Sequence, residues 1–310
     1  MARQQKGHAS LAHFYIVVLG ISLTIGLGVP EYGKTLFPFT TFFLGCIFFF
    51  SSLKLHLRDI KETTHSIGTI AFATILKLII LPIIAYYITR LIAPPLALPF
   101  LILAAMPTAM TAPLFTSMAH GKISFSLVLS IITSLLAPIS IPVILKLLAG
   151  STISVDVIKM TTKLALIILL PIMLAESIKY TSPNNAKKLL HIARPGSLIA
   201  LGLLLVGVVS MHAKTIIHTL TTEPTTYALP LVVFFSATHV VGYLLFLWLP
   251  FKKRIAGTVS LAYMNFILAI YLSTAFFPEN HILIPIIISS IPWSIAIIPF
   301  AEFAAHHEHS

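Results

Sequence analysis

Charge is scarce in this chain, and negative charge scarcest of all. Nine of its 310 residues are Asp or Glu, charged residues of both signs make up 9%, and hydrophobic residues 57%. Soluble domains carry about 25% charged residues, so no water-facing surface can be assembled from this composition. The acids fall almost entirely near predicted helix ends, which excludes catalysis by paired carboxylates at membrane depth. No HExxH zinc motif is present, and the single cysteine, Cys46, rules out a disulfide framework and a cysteine metal cluster. Long polar segments are missing too, so no loop can house a soluble domain. The composition therefore predicts a polytopic membrane protein that is not an enzyme and calls for no cofactor.

What is present is a series of apolar runs of the length a bilayer demands, about 20 residues each. Ten spans are expected, at 12–29, 36–53, 66–89, 96–118, 123–148, 157–177, 196–212, 227–249, 255–277 and 281–303. The basic start "MARQQKGHAS" precedes the first, but "GLGVPEYG" is a poor cleavage site, so a retained helix is expected. With the N-terminus inside, the cytoplasmic segments hold Arg3, Lys6, Lys54, Arg58, Lys61, Lys122, Lys179, Lys187, Lys188, Arg194, Lys252, Lys253 and Arg254. The outer loops hold only Lys34, Arg90 and Lys214, while Lys146, Lys159 and Lys163 lie where long stems can snorkel outward. This bias accounts for the net charge of +11 by the positive-inside rule rather than by nucleic acid. It predicts an integral protein of a bacterial inner membrane with both termini cytoplasmic.

Ten spans divide into five and five, and an odd number per half inverts the second half. The expected fold is all-α, a single transmembrane domain over 1–310, with inverted repeats over about 12–148 and 157–303. The longest cytoplasmic connection is expected at 180–196. The fourth span contains "AAMPTAMTAPLFTSMAHG", with Pro107 and Pro113 six residues apart and Thr108 and Thr111 between them. Proline removes a backbone donor and crowds the preceding turn, and such backbone survives at membrane depth only inside protein or beside a wet cavity. The ninth span, in "SLAYMNFILAIYLS", carries Asn265 among apolar neighbours. Interruptions at matching places in two halves point to a transport site; a helix-packing role for the same residues fits the sequence about equally well.

Lys77 stands near the middle of the third span, in "ATILKLIILP". A charge at the bilayer centre costs about 2.5–3.5 kcal/mol on insertion scales, so its retention asks for a reason.

The chain resembles the bile acid:sodium symporter family, the ten-helix apical bile-acid-transporter fold. Helix two, "FFFSSLKLHLRDI", matches the family pattern at Phe49, Leu53, Leu55 and Asp59, with Ser52 where Gly is usual. Pro107, Gly121, Pro138 and Pro142 hold their places in helices four and five. Helix eight keeps a polar pair before Gly-Tyr (Thr238, His239, Gly242, Tyr243), and helix nine keeps Arg254, Asn265, Leu268 and Ala269. The resemblance implies a core of helices within 66–148 and 227–303, a panel within 12–53 and 157–212, and substrate taken between them by alternating access. It also implies two sodium sites at the crossing of broken helices four and nine. The first falls on Ala112, Pro113, Ser126, Ser130 and Ser260, where the family usually has Ser, Asn, Ser, Thr and Glu. The second falls on Lys77 and Met264, where glutamines are usual. Hard cations want several oxygens, preferably charged, and this chain has lost the carboxylate and the amide. Lys77 is therefore expected to act as a tethered cation in the place of the coupling ion, donating to carbonyls freed by the broken ninth helix, and loss of its proton would mimic departure of sodium; the alternative is a lysine that snorkels or pairs with a carbonyl for stability alone.

The function expected is a secondary transporter of a small organic anion, with proton coupling or uncoupled movement favoured over sodium symport. The site candidates are Lys77, Thr108, Thr111, Pro113, Ser126, Ser130, His239, Ser260, Met264 and Asn265. His239 could touch substrate or shuttle a proton, though a histidine bonded to its own helix is the plainer reading. The tail "HHEHS" is expected to be solvated rather than metal-binding. Two alternatives stay open: a sodium-coupled anion symporter with a remodelled site, and a binding protein of receptor type that does not transport.

Overall fold

In lipid every backbone polar group must be satisfied within the protein, and helices do this segment by segment. The computed structural model describes residues 14, 17–54, 67–278 and 282–307, and these are helical nearly throughout. Along the chain run α1 (Val17–Gly28), α2 (Pro30–Leu53, with a 3-10 stretch Lys34–Phe39), α3 (Ile67–Ile92), α4 (Ala97–Ala105) and α5 (Ala112–Met118). They are followed by α6 (Ile123–Ala149), α7 (Val157–Thr181), α8 (Pro183–Met211), α9 (Ala213–Thr222) and α10 (Pro224–Leu245). The last are α11 (Phe251–Ala262), α12 (Phe266–Phe276) and α13 (Leu283–His307).

Seven of these, α2, α3, α6, α7, α8, α10 and α13, are long and apolar enough to cross a membrane. The apolar stretches expected as the fourth and ninth spans are each split, into α4 and α5 and into α11 and α12. One expectation is corrected. The connection expected at 180–196 is helix, and Ser182 alone separates α7 from α8. Pro183 sits in the first turn, where a missing N–H costs nothing, and the following "AKKLLHIA" is rich in good helix formers. Leu55, Arg58, Asp59, Lys61, the first residues of the 12–29 span and the end of the tail lie outside the described residues.

The chain divides into two compact units. The first takes the described residues of Leu57–Thr161 and Thr225–Ser310, and therefore α3 to α6 and α10 to α13. Its apolar centre joins Ile70, Ala73 and Leu76 of α3 to Phe125, Val128 and Leu129 of α6, with Phe246, Leu249, Ala256 and Leu261. Between lipid-solvated helices such contact gains packing rather than release of water. Gly121 lets α11 come close: a Cβ there would lie 3.1 Å from the backbone nitrogen of Ala256. The neighbouring Lys122 N–H donates to the Lys252 carbonyl at 2.7 Å, tying the same two segments.

The second unit takes the described residues of His13–His56 and Thr162–Pro224. Small residues set its spacing. Gly207 packs where a Cβ would stand 3.0 Å from the backbone of Leu36 and Phe37, and Ser210 Oγ donates to the Gly26 carbonyl at 3.2 Å. Leu53, Ala175 and Ala193 are packed with Phe49, Phe50 and Leu189, and Lys179 pairs with Glu176 while donating to the Ser52 carbonyl.

Candidate functional site

The two interruptions of the first unit meet. Between α4 and α5 the chain leaves the helix at Met106 and re-enters at Ala112, with Pro113 in the first turn. Between α11 and α12 it is non-helical at Tyr263, Met264 and Asn265. Ala109 N–H donates to the Tyr263 carbonyl at 2.8 Å and Asn265 N–H donates to the Pro107 carbonyl at 2.9 Å, an antiparallel bridge centred on Thr108 and Met264. Backbone groups that both helices give up are thus satisfied by one another, as burial requires. The causes of the two breaks differ. In the first they are Pro107 and Pro113; in the second no proline is present, and Asn265 caps α12 by accepting the Leu268 N–H on its side-chain oxygen at 3.1 Å.

Hydroxyls close around this crossing. Thr108 Oγ1 donates to the Ser260 carbonyl at 2.8 Å, and the Thr108 N–H donates to Thr133 Oγ1 at 3.1 Å. Ser130 Oγ lies 3.1 Å from the Ala109 carbonyl and 2.9 Å from that of Ser126. Ser260 Oγ lies 3.0 Å from Ser126 Oγ and 2.7 Å from the Ala256 carbonyl. All five side chains are buried.

Lys77 belongs to the same cluster. It sits on a π-helical turn, Leu76–Ile80, inside α3, where the Leu81 N–H reaches back five residues to the Leu76 carbonyl. Pro82 follows; it has no N–H to give, and its ring crowds the carbonyl four residues earlier, so a regular α-turn is disfavoured there. Such turns recur at functional places in helices. The Lys77 side chain is 1% exposed, and its Nζ donates to the Leu261 carbonyl, in the last turn of α11, at 3.0 Å. Ala73, Thr108, Leu129, Phe246, Gly257 and Ser260 line a crevice together with Lys77. Among the described residues no carboxylate stands within 4 Å of Nζ.

The structure thus brings Lys77, Thr108, Ser126, Ser130 and Ser260 together, and Met264 and Asn265 join them through the backbone bridge. Met264 is fully buried and offers only a thioether, a weak acceptor. Asn265 is buried, and its side-chain nitrogen has no hydrogen-bond partner among the described residues. Thr111 and Pro113 are half-buried at the start of α5, and the Thr111 side chain caps nothing. His239 makes no hydrogen bond to the cluster: Nδ1 donates to its own helix at the Phe235 carbonyl, 2.7 Å away, and its ring packs on Tyr263 and Phe300. Thr133 and the Leu261 carbonyl were not among the candidates. Thr133 shares a helical face with Ser126 and Ser130 at i+7 and i+3, a spacing that could have flagged it.

Few side-chain oxygens stand at the positions that the resemblance assigns to sodium. Positions 112, 113 and 264 supply no side-chain oxygen, the three serines are engaged with carbonyls or one another, and the Lys77 amine already donates to the Leu261 carbonyl. Among the described residues no group of three His, Cys, Asp or Glu side chains is placed to hold a metal.

Over 289 residues, 89% of each chain, the protein is 27% identical to the uncharacterized protein YbaS of Bacillus subtilis (strain 168). Over 214 residues, 67% of each chain, it is 22% identical to the uncharacterized sodium-dependent transporter YocS of the same organism. The sequence profile of the Sodium Bile acid symporter family matches residues 41–219, more than half of the chain. The protein is an integral membrane protein and belongs to that family of transporters.

Proposed function

We propose that this protein is a secondary transporter that carries a small organic anion by alternating access, and that Lys77 stands where relatives place a coupling cation. The observation that carries the reading is the hydrogen bond from Lys77 Nζ to the Leu261 carbonyl, beside the paired interruptions. That carbonyl belongs to the final turn of a helix, where acceptors lose their intrahelical donors and favour positive charge. A fixed ammonium supplies that charge without sodium. The substrate's anionic group meets the start of α12, where Asn265 offers an unused side-chain N–H beside a helix N-terminus. The inverted five-helix repeats, the core and panel assignment, the inner-membrane location and the cytoplasmic termini belong to this same reading.

The test is uptake into proteoliposomes. A thermal-shift panel of organic anions on the purified protein first selects a probe, and its accumulation is then followed with an imposed sodium gradient, an imposed proton gradient, or neither. Uptake independent of sodium is the expected result; strict sodium dependence overturns the role given to Lys77. Sodium coupling is the second reading, favoured by the naming of YocS as a sodium-dependent transporter. Binding of the probe without any accumulation would instead mark a receptor.

A further inference from the structure

Two buried polar atoms near the broken helix are not used by the crossing. Tyr263, one of the three non-helical residues between α11 and α12, is 1% exposed, and its hydroxyl has no hydrogen-bond partner among the described residues. His239 of α10 is 6% exposed, and its Nε2 is likewise enclosed and without a partner among them. The two rings are neighbours, with centroids 5.4 Å apart and planes nearly perpendicular. Phe115 packs on Tyr263 with ring centroids 4.4 Å apart, and Phe300 on His239 at 5.0 Å. Polar atoms abandoned in an apolar enclosure are rare in folded proteins, and each one asks for an account.

The hydrogen-bond chemistry of this pair is determined. His239 Nδ1 is 2.7 Å from the Phe235 carbonyl, which can only accept, so Nδ1 carries the proton. In the neutral ring Nε2 is then a bare acceptor. The Tyr263 hydroxyl both donates and accepts. Nε2 needs a donor, whereas Oη takes either a donor or an acceptor, and an O–H is the smallest group that donates to the one while accepting from the other.

We propose that His239 Nε2 and Tyr263 Oη form a receptor for a single hydroxyl group, held between α10 and the interruption of the ninth span. The O–H donates to Nε2 and accepts from Oη, and the phenyl rings of Phe115 and Phe300 flank the pair. Two chemical sources share that group: one ordered water, or the alcohol of a bound solute. Lys77 and the coupling ion play no part in this site, so it stands or falls separately from the transport reading.

Nitrogen NMR of the full-length protein, labelled with 15N-histidine and held in nanodiscs, tests it. The His239 signal is identified by its loss in His239→Asn. The expected Nε2 resonance is that of a neutral nitrogen accepting a hydrogen bond, returning toward the free lone-pair position in Tyr263→Phe. Seen in plain buffer, the bond identifies water as the source; seen only after addition of glycerol, a neutral polyol, it identifies a solute hydroxyl. A free lone-pair resonance in both conditions overturns the proposal. So does a protonated Nε2, or an accepting Nε2 that Tyr263→Phe leaves unmoved.

Discussion

A lysine with one backbone acceptor and no counter-ion among the described residues is an expensive thing to keep in a membrane protein. Removing it by Lys77→Met exchanges a buried amine for an apolar chain of similar length, and such exchanges are often neutral for folding. The variant should therefore purify as a folded protein, yet take up its anion at least about tenfold more slowly, equivalent to the ~1.4 kcal/mol that one charge-assisted hydrogen bond can supply. Unchanged uptake would reduce Lys77 to a packing residue. Thr133 has a different kind of importance, because its hydroxyl receives the buried N–H of Thr108 in the first interruption. Thr133→Val keeps the shape but orphans that N–H, at a cost of about 1–3 kcal/mol. A lowered melting temperature in detergent is expected for Thr133→Val, and a nearly normal one for Thr133→Ser.

At the scale of elements, the breaks were readable to different degrees. Pro107 and Pro113 announce theirs in the sequence, since each denies a backbone bond. The break at Tyr263–Asn265 rests on a lone polar residue that could equally have bonded a neighbouring helix, and only the Leu268 cap resolves it. The π-turn under Lys77 and the helical course of 183–196 were not legible, because each depends on how proline is accommodated among neighbours. The candidate hydroxyls Ser126, Ser130 and Ser260 could be named in advance through the family resemblance, whereas Thr133 and the Leu261 carbonyl needed coordinates. The joint between α8 and α9 allows a pH prediction. His212 sits there outside the spans, its ring edge-on to Phe37, and burial holds its pKa below the ordinary histidine value. The unfolded chain then binds that proton more readily than the folded one. The stability contributed by the neutral ring is present above about pH 6.5 and drains away as pH falls through the folded value. Melting temperature should drop on acidification from pH 7 to pH 5, and drop less in His212→Phe, which keeps the ring contact. Identical profiles for the two proteins would remove His212 as the cause.

For the whole molecule, the distribution of basic residues makes a statement about orientation that labelling can check. In a Cys46→Ser background, Lys214→Cys should react with a membrane-impermeant maleimide in intact cells, and Lys187→Cys should react only after lysis. The reverse pattern would turn the protein over and place its termini outside. The same scale governs how function can drift within such a fold. The bridge at Thr108 and Met264 is built from main-chain N–H and carbonyl groups, which every residue other than proline carries in the same form. Side chains there can be exchanged, and the chemistry offered at the crossing redrawn, while the scaffold beneath them stays whole.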